Sequence, residues 1–264
     1  MERKNLLNRE TNQNGELTPF FFTMNKEEEI TVQERENLDV LVNDILPNSS
    51  LNININKDAR LNIAFLNKKN ANNVKITAKV HQNAQISLFF ADFSAGENKV
   101  NITVDLLEEE AKVDWHLSSL ASEDDNKEFS VYINHLAPHT FATSDNYGVC
   151  KDKAKLVFSG TSLINKGCVK SDTRQNAKIM VFDKNSTAIA KPILKIDEND
   201  LVAAHSAVVG KINDEHLFYL TSRGLSEKEA KELIIYGYLK PIIKGFIDDK
   251  DKEEISSLIE EKVK

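Results

Sequence analysis

Short runs of alternating apolar and polar residues recur along most of this chain and limit what it can fold into. The run "LNININ" places Leu51, Ile53 and Ile55 on one face and asparagines on the other, the period of two that is typical of a half-buried strand. Similar runs follow, among them "VKITAKV", "AQISLFF", "VNITVDL", "FSVYINHL" and "AKIMVF". Amphipathic helical spacing is nearly absent between them. The sequence therefore predicts an all-β body of the sandwich, barrel or solenoid type.

Turn-forming residues favour one of these architectures. The chain has 9 glycines and 5 prolines, fewer than a series of tight hairpins is expected to use. In a parallel β-helix, short strands instead turn corners through asparagine and small polar residues, and each coil stacks on the next. Residues 52–101 are rich in asparagine, which tolerates the left-handed backbone conformation of such corners. We therefore expect a parallel β-helix.

The texture of the sequence divides the chain into three regions. Residues 1–50 are polar and irregular and are predicted to form a short lead-in that ends near Pro47. Residues 51–216 carry the alternating runs and form the predicted β-helix core. Residues 217–264 show helical spacing and form the predicted C-terminal helical domain.

Two helices are predicted within the C-terminal region. Ser226 and Glu229 have the spacing of a capping box, so a helix is expected to begin at Ser226. Pro241 removes a backbone donor, so this helix is expected to end or kink near Leu239. The charged segment that follows predicts a final amphipathic helix whose apolar face is Ile255, Leu258 and Ile259.

Charge and hydropathy exclude several classes of partner. The net charge is −7, with acidic and basic residues interleaved, so no strong positive field is available to attract nucleic acid. No apolar stretch approaches the roughly 18 residues of a membrane helix, and the first residues contain no secretory core. Cys150 and Cys168 lack the close spacing of a zinc or redox pair. We therefore expect a cytoplasmic protein with free thiols and no membrane partner.

His205 is the residue that stands out as a candidate site. It lies on a predicted strand between Ala204 and Ser206, small neighbours that leave the imidazole prominent and able to meet a metal, a thiolate or a partner surface. The residues alone favour the simpler interpretation, a histidine paired with the backbone at a strand end. His135 and His139 are interpreted as a solvated turn, and His116 as facing solvent, opposite Trp115. Known catalytic motifs are absent.

Residues 150–247 carry a specific family resemblance. The segments "KLVFSGTSLI", "KSDTRQNAKIMVF", "KPILKI", "AAHSAVVG", "LFYLTSRGLSEKEA" and "LIIYGYL" follow one another in the order and spacing of the SufB/SufD family. This family comprises the scaffold subunits of the Suf iron–sulfur cluster assembly machinery. The segment "KPILKI" is similar to its SufD type, and "FDKNSTAIAKP" lacks the functional cysteine of SufB chains. Ser206 and Pro241 depart from the family pattern.

The resemblance implies a fold and a set of roles. It implies a right-handed parallel β-helix core, pairing of SufB and SufD near the end of that β-helix, and a C-terminal helical domain that docks the SufC ATPase. His205 corresponds to the SufD histidine that, with a SufB cysteine, is thought to support nascent cluster assembly. The docking surface is expected to comprise Leu217, Phe218, Tyr219, Leu220, Arg223, Gly224, Leu225, Ala230, Leu233 and Ile234.

The function expected from this resemblance is that of a scaffold and not of an enzyme. The chain would pair with a SufB-like paralogue or with itself, bind a SufC-like ATPase, and hold no cofactor stably, with His205 contacting iron or a cluster transiently. Two alternatives stay open at this point. One is a β-helical enzyme acting on saccharides, which would need a groove of carboxylates and basic residues along the solenoid. The other is a purely structural homodimer.

Overall fold

A parallel β-solenoid followed by three helices makes up the computed structural model, which describes residues 20–263. Fifteen strands succeed one another along the chain. They are β1 Phe20–Met24, β2 Glu27–Val32, β3 Asn37–Ile45, β4 Ser50–Ile55, β5 Arg60–Asn67, β6 Val74–Val80, β7 Gln85–Asp92, β8 Glu97–Leu106, β9 Lys112–Ala121, β10 Asn126–His135, β11 Phe141–Cys150, β12 Lys155–Ile164, β13 Asp172–Val181, β14 Thr187–Ile196 and β15 Val202–Lys211. The helices are α1 Asp214–Ser222, α2 Glu227–Leu239 and α3 Asp249–Val263, with a 3₁₀ helix at Lys240–Gly245.

Odd and even strands form two separate parallel sheets. The odd strands make an eight-stranded sheet in the order β1-β3-β5-β7-β9-β11-β13-β15, and the even strands make a seven-stranded sheet from β2 to β14. Each coil thus contributes one strand to each sheet. The coils widen along the chain: Asn37 pairs with Arg60, 23 positions later, whereas Asp172 pairs with Val202, 30 positions later. The predicted mainly-β solenoid with C-terminal helices is confirmed.

The core lies between the two sheets and is built from the alternating residues. Leu51, Ile53 and Ile55 of β4 are at most 2% exposed, as their spacing predicted. The residues in register with an inward position on the neighbouring coils also face inward, so each inward position becomes a column of stacked side chains. Aromatic rings fill the middle of the solenoid, with Phe90 contacting Phe65 at 5.4 Å and Phe129 at 5.9 Å between centroids.

Corners between strands use the left-handed backbone conformation. Asn48, Asn73 and Asn83 have φ values of 57°, 59° and 52°, which confirms the corner role expected of asparagine. These side chains also stack: the Asn73 amide donates to Asn48 at 2.9 Å, and the Asn83 amide donates to Asp58 at 2.8 Å. Later corners place other residues in the same conformation, namely Glu110, Glu123, His139, Asp152 and Lys170.

The solenoid begins earlier than the predicted lead-in allows. Strands β1 to β3 precede residue 51 and pair in parallel with β3, β4 and β5. Glutamates at successive positions of β2 hide its alternation, because Glu28 points inward at the strand edge while Ile30 and Val32 continue the core. Residues 1–19 of the predicted lead-in lie outside the described residues. The helical region likewise starts at Asp214, three positions before the predicted boundary, with Asn213 as its N-cap.

The predicted helix boundaries are otherwise confirmed. Ser226 caps α2 through a complete capping box with Glu229, and α2 ends at Leu239. Pro241 lies in the first turn of the 3₁₀ helix, where its missing N–H costs no intrahelical bond. In α3, Ile255 and Ile259 are buried and Leu258 packs partly against the same cluster.

Helix α2, the 3₁₀ helix and α3 pack on the outer face of the eight-stranded sheet. Phe89 and Leu120 of the sheet meet Ile235, Leu239 and Phe246 of the helical region in one apolar cluster. The 3₁₀ helix packs closely on the ring of Phe89 at Gly245. A Cβ at this position would overlap the ring, so only glycine permits the contact. Within residues 20–263, no helix is long and apolar enough to cross a membrane.

A buried, hydrogen-bonded ion pair lies at one corner beneath α3. The Lys127 ammonium is fully buried and lies 2.8 Å from Asp92 Oδ2, and it also donates to the carbonyls of Ser94 and Leu120. Asp92 accepts further bonds from Asn67 and Ser119, so the pair is fully hydrogen-bonded. Lys262, in the last turn of α3, donates to the Ser94 carbonyl. The Ser94 carbonyl therefore accepts hydrogen bonds both from Lys127 inside the solenoid and from Lys262 of α3.

Replacement of Gly245 by alanine is expected to loosen the helices from the solenoid. The added methyl group would force the 3₁₀ helix away from Phe89, at a cost of about 2 kcal/mol in the free energy of unfolding. Chemical denaturation and protease cleavage within residues 214–263 measure this effect. The matched control is Gly237→Ala on α2, where a Cβ meets nothing within 4 Å and alanine is the better helix former. Equal stability of the two variants would contradict the proposed contact.

Candidate functional site

The last coil of the solenoid is open. Its two strands, β14 and β15, are the terminal strands of their sheets, and neither contains a fully buried residue. Inward-facing apolar side chains are exposed there: Val209, in register with the buried Ile179, is 45% exposed, and Ile196, in register with the buried Ile164, is 38% exposed. The first coil differs, because Met24 and Val32 are 0% exposed. The two ends of the solenoid are therefore unequal, and the C-terminal end presents core-like residues to solvent.

His205 occupies an inward-facing position of β15 in this open coil. It pairs in register with Gln175, which pairs with Ser144, which pairs with Trp115. All three of these neighbours are buried, so His205 continues an inward column and is exposed only because no further coil covers it. Its small neighbours, Ala204 and Ser206, lie on the outer face. The predicted strand location of His205 is thus confirmed, while its proposed contact with iron stays a prediction.

Within residues 20–263, His205 does not belong to a metal-binding cluster. Over residues 20–263, no group of three or more histidine, cysteine, aspartate or glutamate side chains is arranged to hold a metal ion. A single imidazole supplies one ligand, and iron or an iron–sulfur cluster needs several.

Both cysteines are free thiols, as expected, and both are buried. The Cys150 thiol donates to the Ala154 carbonyl at 3.3 Å, and the Cys168 thiol donates to the His135 carbonyl at 3.2 Å. Burial raises the pKa of both thiols, which keeps them protonated and unreactive at neutral pH.

Two histidines differ from their predicted environment. His139 occupies a corner, as predicted, but His135 is fully buried at the end of β10, with Nδ1 2.8 Å from Thr140 Oγ1. The reason is strand alternation, because His135 follows Ile133 at the inward spacing of two. His116 is on the outer face, as expected, yet it stacks on Phe89 at 4.7 Å beneath the helical region. Burial, assisted by Lys244, lowers the pKa of His116.

The predicted docking residues fall mainly on an exposed apolar surface of α1 and α2. Helix α1 has no buried residue, and Phe218 and Tyr219 are 74% and 56% exposed. The Arg223 guanidinium lies over the Tyr219 ring at 5.3 Å, and Leu233 of α2 is 50% exposed. Gly224 follows α1 in the left-handed conformation. The remaining predicted residues Leu217, Leu220, Leu225 and Ile234 are half-buried.

Ala230 differs from the rest of that predicted surface. It is fully buried, so it contributes to packing within the protein and is not accessible to a partner. Ala230 precedes Leu233 by three positions and Ile234 by four, so it shares their side of α2, whereas Ile235 and Leu239 lie on the side that packs on the solenoid.

The saccharide-enzyme alternative required a groove along the solenoid. One cavity of about 580 Å³ does contain carboxylates and lysines, but it is lined by helical-region residues that include Lys240, Asp249, Lys252 and Glu253. None of its lining residues lies on a solenoid strand. No observation on the described strands therefore favours this alternative.

Sequence reasoning missed the polar interior below His205. Thr173 and Gln175 of β13 are at inward positions and are at most 4% exposed, and Ser162 faces them from β12. Thr173 and Gln175 donate to Ser162 Oγ at 2.9 and 2.6 Å. The signal was present in "DTRQNAKIMV", where residues at the inward spacing of two are polar before they become apolar. Only the register with β15 connects them to His205.

Comparison with known proteins decides the family. The model of the SUF system FeS cluster assembly SufBD core domain matches residues 9–238 of this chain. The chain belongs to the SufB/SufD family. The match extends well before residue 150, where the sequence alone had indicated only a strand-rich texture, and this agrees with the early start of the solenoid at β1.

Among individual relatives, the similarity is of the SufD type. The iron–sulfur cluster assembly protein SufD of Bacillus subtilis (strain 168) is 35% identical over 136 residues, which cover 52% of this chain and 31% of that protein. SufB of the same organism is 31% identical over 128 residues, covering 48% and 27%. SufD of Escherichia coli (strain K12) is 30% identical over 111 residues, covering 42% and 26%. The aligned part thus spans about a third or less of each of these relatives.

Acid is expected to destabilise the fold through His135. Burial lowers the pKa of His135 to about 4, against about 6.5 for an unfolded histidine. Below pH 6.5 the His135 side chain binds a proton in the unfolded chain but stays neutral in the folded chain. The free energy of unfolding therefore falls as the pH decreases and levels off near pH 4. The loss attributable to this one group is about 3 kcal/mol, at 1.36 kcal/mol per pKa unit.

Urea denaturation between pH 7 and pH 4 measures this loss against the background of carboxylate titration. The variant His135→Gln should lose less stability over this range than the unchanged protein. His216→Gln, which alters an exposed histidine of α1, serves as the matched control and should follow the unchanged protein. An identical pH dependence in both variants would show that His135 is not responsible.

Proposed function

We propose that this chain is a SufD-like scaffold subunit of a Suf iron–sulfur cluster assembly complex, without catalytic activity of its own. In this proposal it pairs through the open end of its solenoid with a SufB-like subunit, and it docks a SufC-like ATPase through α1 and α2. The observation that carries the proposal is the exposure of inward-facing residues on the last coil, including His205, in a member of this family.

The open coil has the properties of a pairing surface. β14 and β15 each have a strand neighbour on one side only, so their outer edges offer unpaired backbone groups to another strand. Ile196 and Val209, at inward positions of β14 and β15, add apolar area that a partner coil would bury. A second β-solenoid, whether a SufB-like paralogue or another copy of this chain, fits this surface because its own coil geometry continues the stack.

His205 is proposed to contribute one ligand to iron or to a nascent cluster at that surface. Imidazole binds iron well, and in this proposal the partner supplies the remaining ligands. A cluster held between two subunits by mixed ligands is held less firmly than one with four thiolates, which suits a scaffold that must release it. The cluster is therefore cargo and not a resident cofactor.

The exposed surface of α1 and α2 is proposed to bind the ATPase. Phe218, Tyr219 and Leu233 form an apolar patch on a helix pair, and Arg223 extends it. Aromatic and arginine side chains are the residue types that dominate binding energy at protein interfaces. This patch is on the helical region and is separate from the residues of the open coil, so both partners bind the chain at once.

Introduction of a carboxylate into the open coil is expected to prevent pairing. Val209→Asp places a charge where the partner coil would remove it from water, so the amount of SufB-like subunit that co-purifies should fall by roughly tenfold or more. Phe21→Asp is the matched control, because Phe21 is 52% exposed on β1 at the opposite edge of the same sheet. Native mass spectrometry of the purified complex distinguishes the heterodimer from the homodimer.

The same complex tests the role of His205. His205→Ala should leave co-purification unchanged and lower the iron and sulfide bound to the complex several-fold, because one ligand is lost. Equal loss of partner from Val209→Asp and Phe21→Asp would contradict pairing through the open coil. Unchanged iron and sulfide in His205→Ala would contradict its role as a ligand.

Truncation of the aromatic patch is expected to weaken ATPase binding. Tyr219→Ala removes an exposed ring and its stacked contact with Arg223, with an expected loss of about 2 kcal/mol, or about thirtyfold in affinity. Calorimetric titration with the purified SufC-like ATPase measures the dissociation constant. Tyr132→Ala is the matched control, since Tyr132 is 44% exposed on the solenoid strand β10. An equal effect of both changes would rule out this patch as the docking surface.

A further inference from the structure

The polar atom nearest in register to His205 is an amide oxygen without a partner. Gln175 is 4% exposed, and its Oε1 is buried and accepts no hydrogen bond within the described protein. The register places Gln175 and His205 side by side on adjacent parallel strands, where neighbouring strands are about 4.8 Å apart. Both side chains lie at inward positions of the same column, so the oxygen and the imidazole are on the same face of the sheet.

The surrounding contacts decide which end of the Gln175 amide is free. The nitrogen Nε2 donates to Ser162 Oγ at 2.6 Å and faces the Ile193 carbonyl at 3.4 Å. A carbonyl oxygen only accepts hydrogen bonds, so the atom directed at Ile193 is the nitrogen and the unpartnered atom is the oxygen. Ser162 also accepts a bond from Thr173, which fixes the position of its hydroxyl.

Space for this amide is provided by a glycine on the opposite strand. A Cβ placed at Gly160 would lie 3.4 Å from Gln175 Oε1, closer than most real contacts of that kind. Gly160 pairs in register with Pro192 of the open coil. The Gln175 amide is therefore hydrogen-bonded to Ser162, and the absence of a side chain at Gly160 leaves space for its oxygen directly below the open coil.

Neighbouring positions in this solenoid already form the type of bond that is missing here. On the outer face of the same three strands, the Asn176 amide donates to the in-register Asp145 at 2.9 Å. Asn67 and Asp92 are paired in the same way inside the solenoid at 2.7 Å. In-register hydrogen bonds between adjacent coils are thus a regular feature of the fold.

We propose that Gln175 is a positioning residue for His205, whose imidazole donates one ring N–H to Gln175 Oε1. This inference rests on the proposed function, in which His205 is a ligand. Metal-binding histidines almost always donate their second nitrogen to a fixed acceptor, which selects the tautomer and orients the ring. With one nitrogen directed at Gln175, the other nitrogen carries the lone pair and faces the open end, where a partner meets it.

The tautomer of His205 tests the hydrogen bond directly. Long-range proton–nitrogen correlation spectra of the full chain with ¹⁵N-labelled histidine, recorded at a pH where the ring is neutral, report which nitrogen carries the proton. His205→Gln assigns the signal. The unchanged protein should favour one tautomer by roughly tenfold, the factor that one such bond contributes. Gln175→Leu and Gln175→Asn, which remove the acceptor or shorten it by one methylene, should give a mixture, and Gln175→Glu should retain the preference.

A mixture in the unchanged protein, or the same single tautomer in Gln175→Leu, would overturn the proposal. Iron and sulfide content of the complex separates this result from the proposed function: we expect Gln175→Leu to lower it several-fold and Gln175→Glu to restore it. If His205→Ala leaves that content unchanged while the tautomer still depends on Gln175, the ligand role fails and the hydrogen bond stands. If His205→Ala lowers the content and the tautomer is independent of Gln175, the reverse holds.

Discussion

In a parallel solenoid, inward side chains are covered by the next coil and by almost nothing else. Each coil of this protein has only two strands, so a residue such as Leu88 is buried by its in-register neighbours Ile63 and Trp115 and by the facing sheet. This dependence explains why the interior is arranged in columns and why the corners repeat the same backbone conformation. It also means that the last coil cannot complete its own core. The open coil is thus exposed for the same reason that the other coils are stable, namely that inward side chains are buried by the next coil.

Inward residues change from apolar to polar as the open end is approached. The column that begins with Ile63, Leu88 and Trp115 continues with Ser144, Gln175 and His205. Two of these polar residues bond with side chains beside the column: the Asn146 amide donates to Ser144 at 3.1 Å, and the Gln175 amide nitrogen donates to Ser162 at 2.6 Å. The last coils therefore bury less apolar surface than the middle of the solenoid. A partner that stacks on the open end would supply burial that the chain itself lacks.

Local signals in the sequence were sufficient for the strands, the asparagine corners and the capped helix, because each depends on residues close together in the chain. The early start of the solenoid was hidden by glutamates in Glu27–Val32, whose charges dilute the alternation. The burial of His135 and of Ala230 depends on which neighbouring elements pack against those positions, and spacing within one strand or helix does not specify them. Gln175 is connected to His205 by a register of 30 positions, which no local pattern specifies.

The two proposed binding surfaces are joined by a very short connection. β15, which carries His205, ends at Lys211, and α1, which carries Phe218 and Tyr219, begins at Asp214. Helix α1 has no buried residue, whereas α2 and α3 are anchored on the solenoid through Ile235, Leu239, Ile255 and Ile259. A force applied to α1 is therefore resisted first by β15, through its hydrogen bonds to β13, and by the contact of α1 with α2. Movement of an ATPase bound at α1 would act on the very strand that positions the imidazole, without passing through the anchored helices.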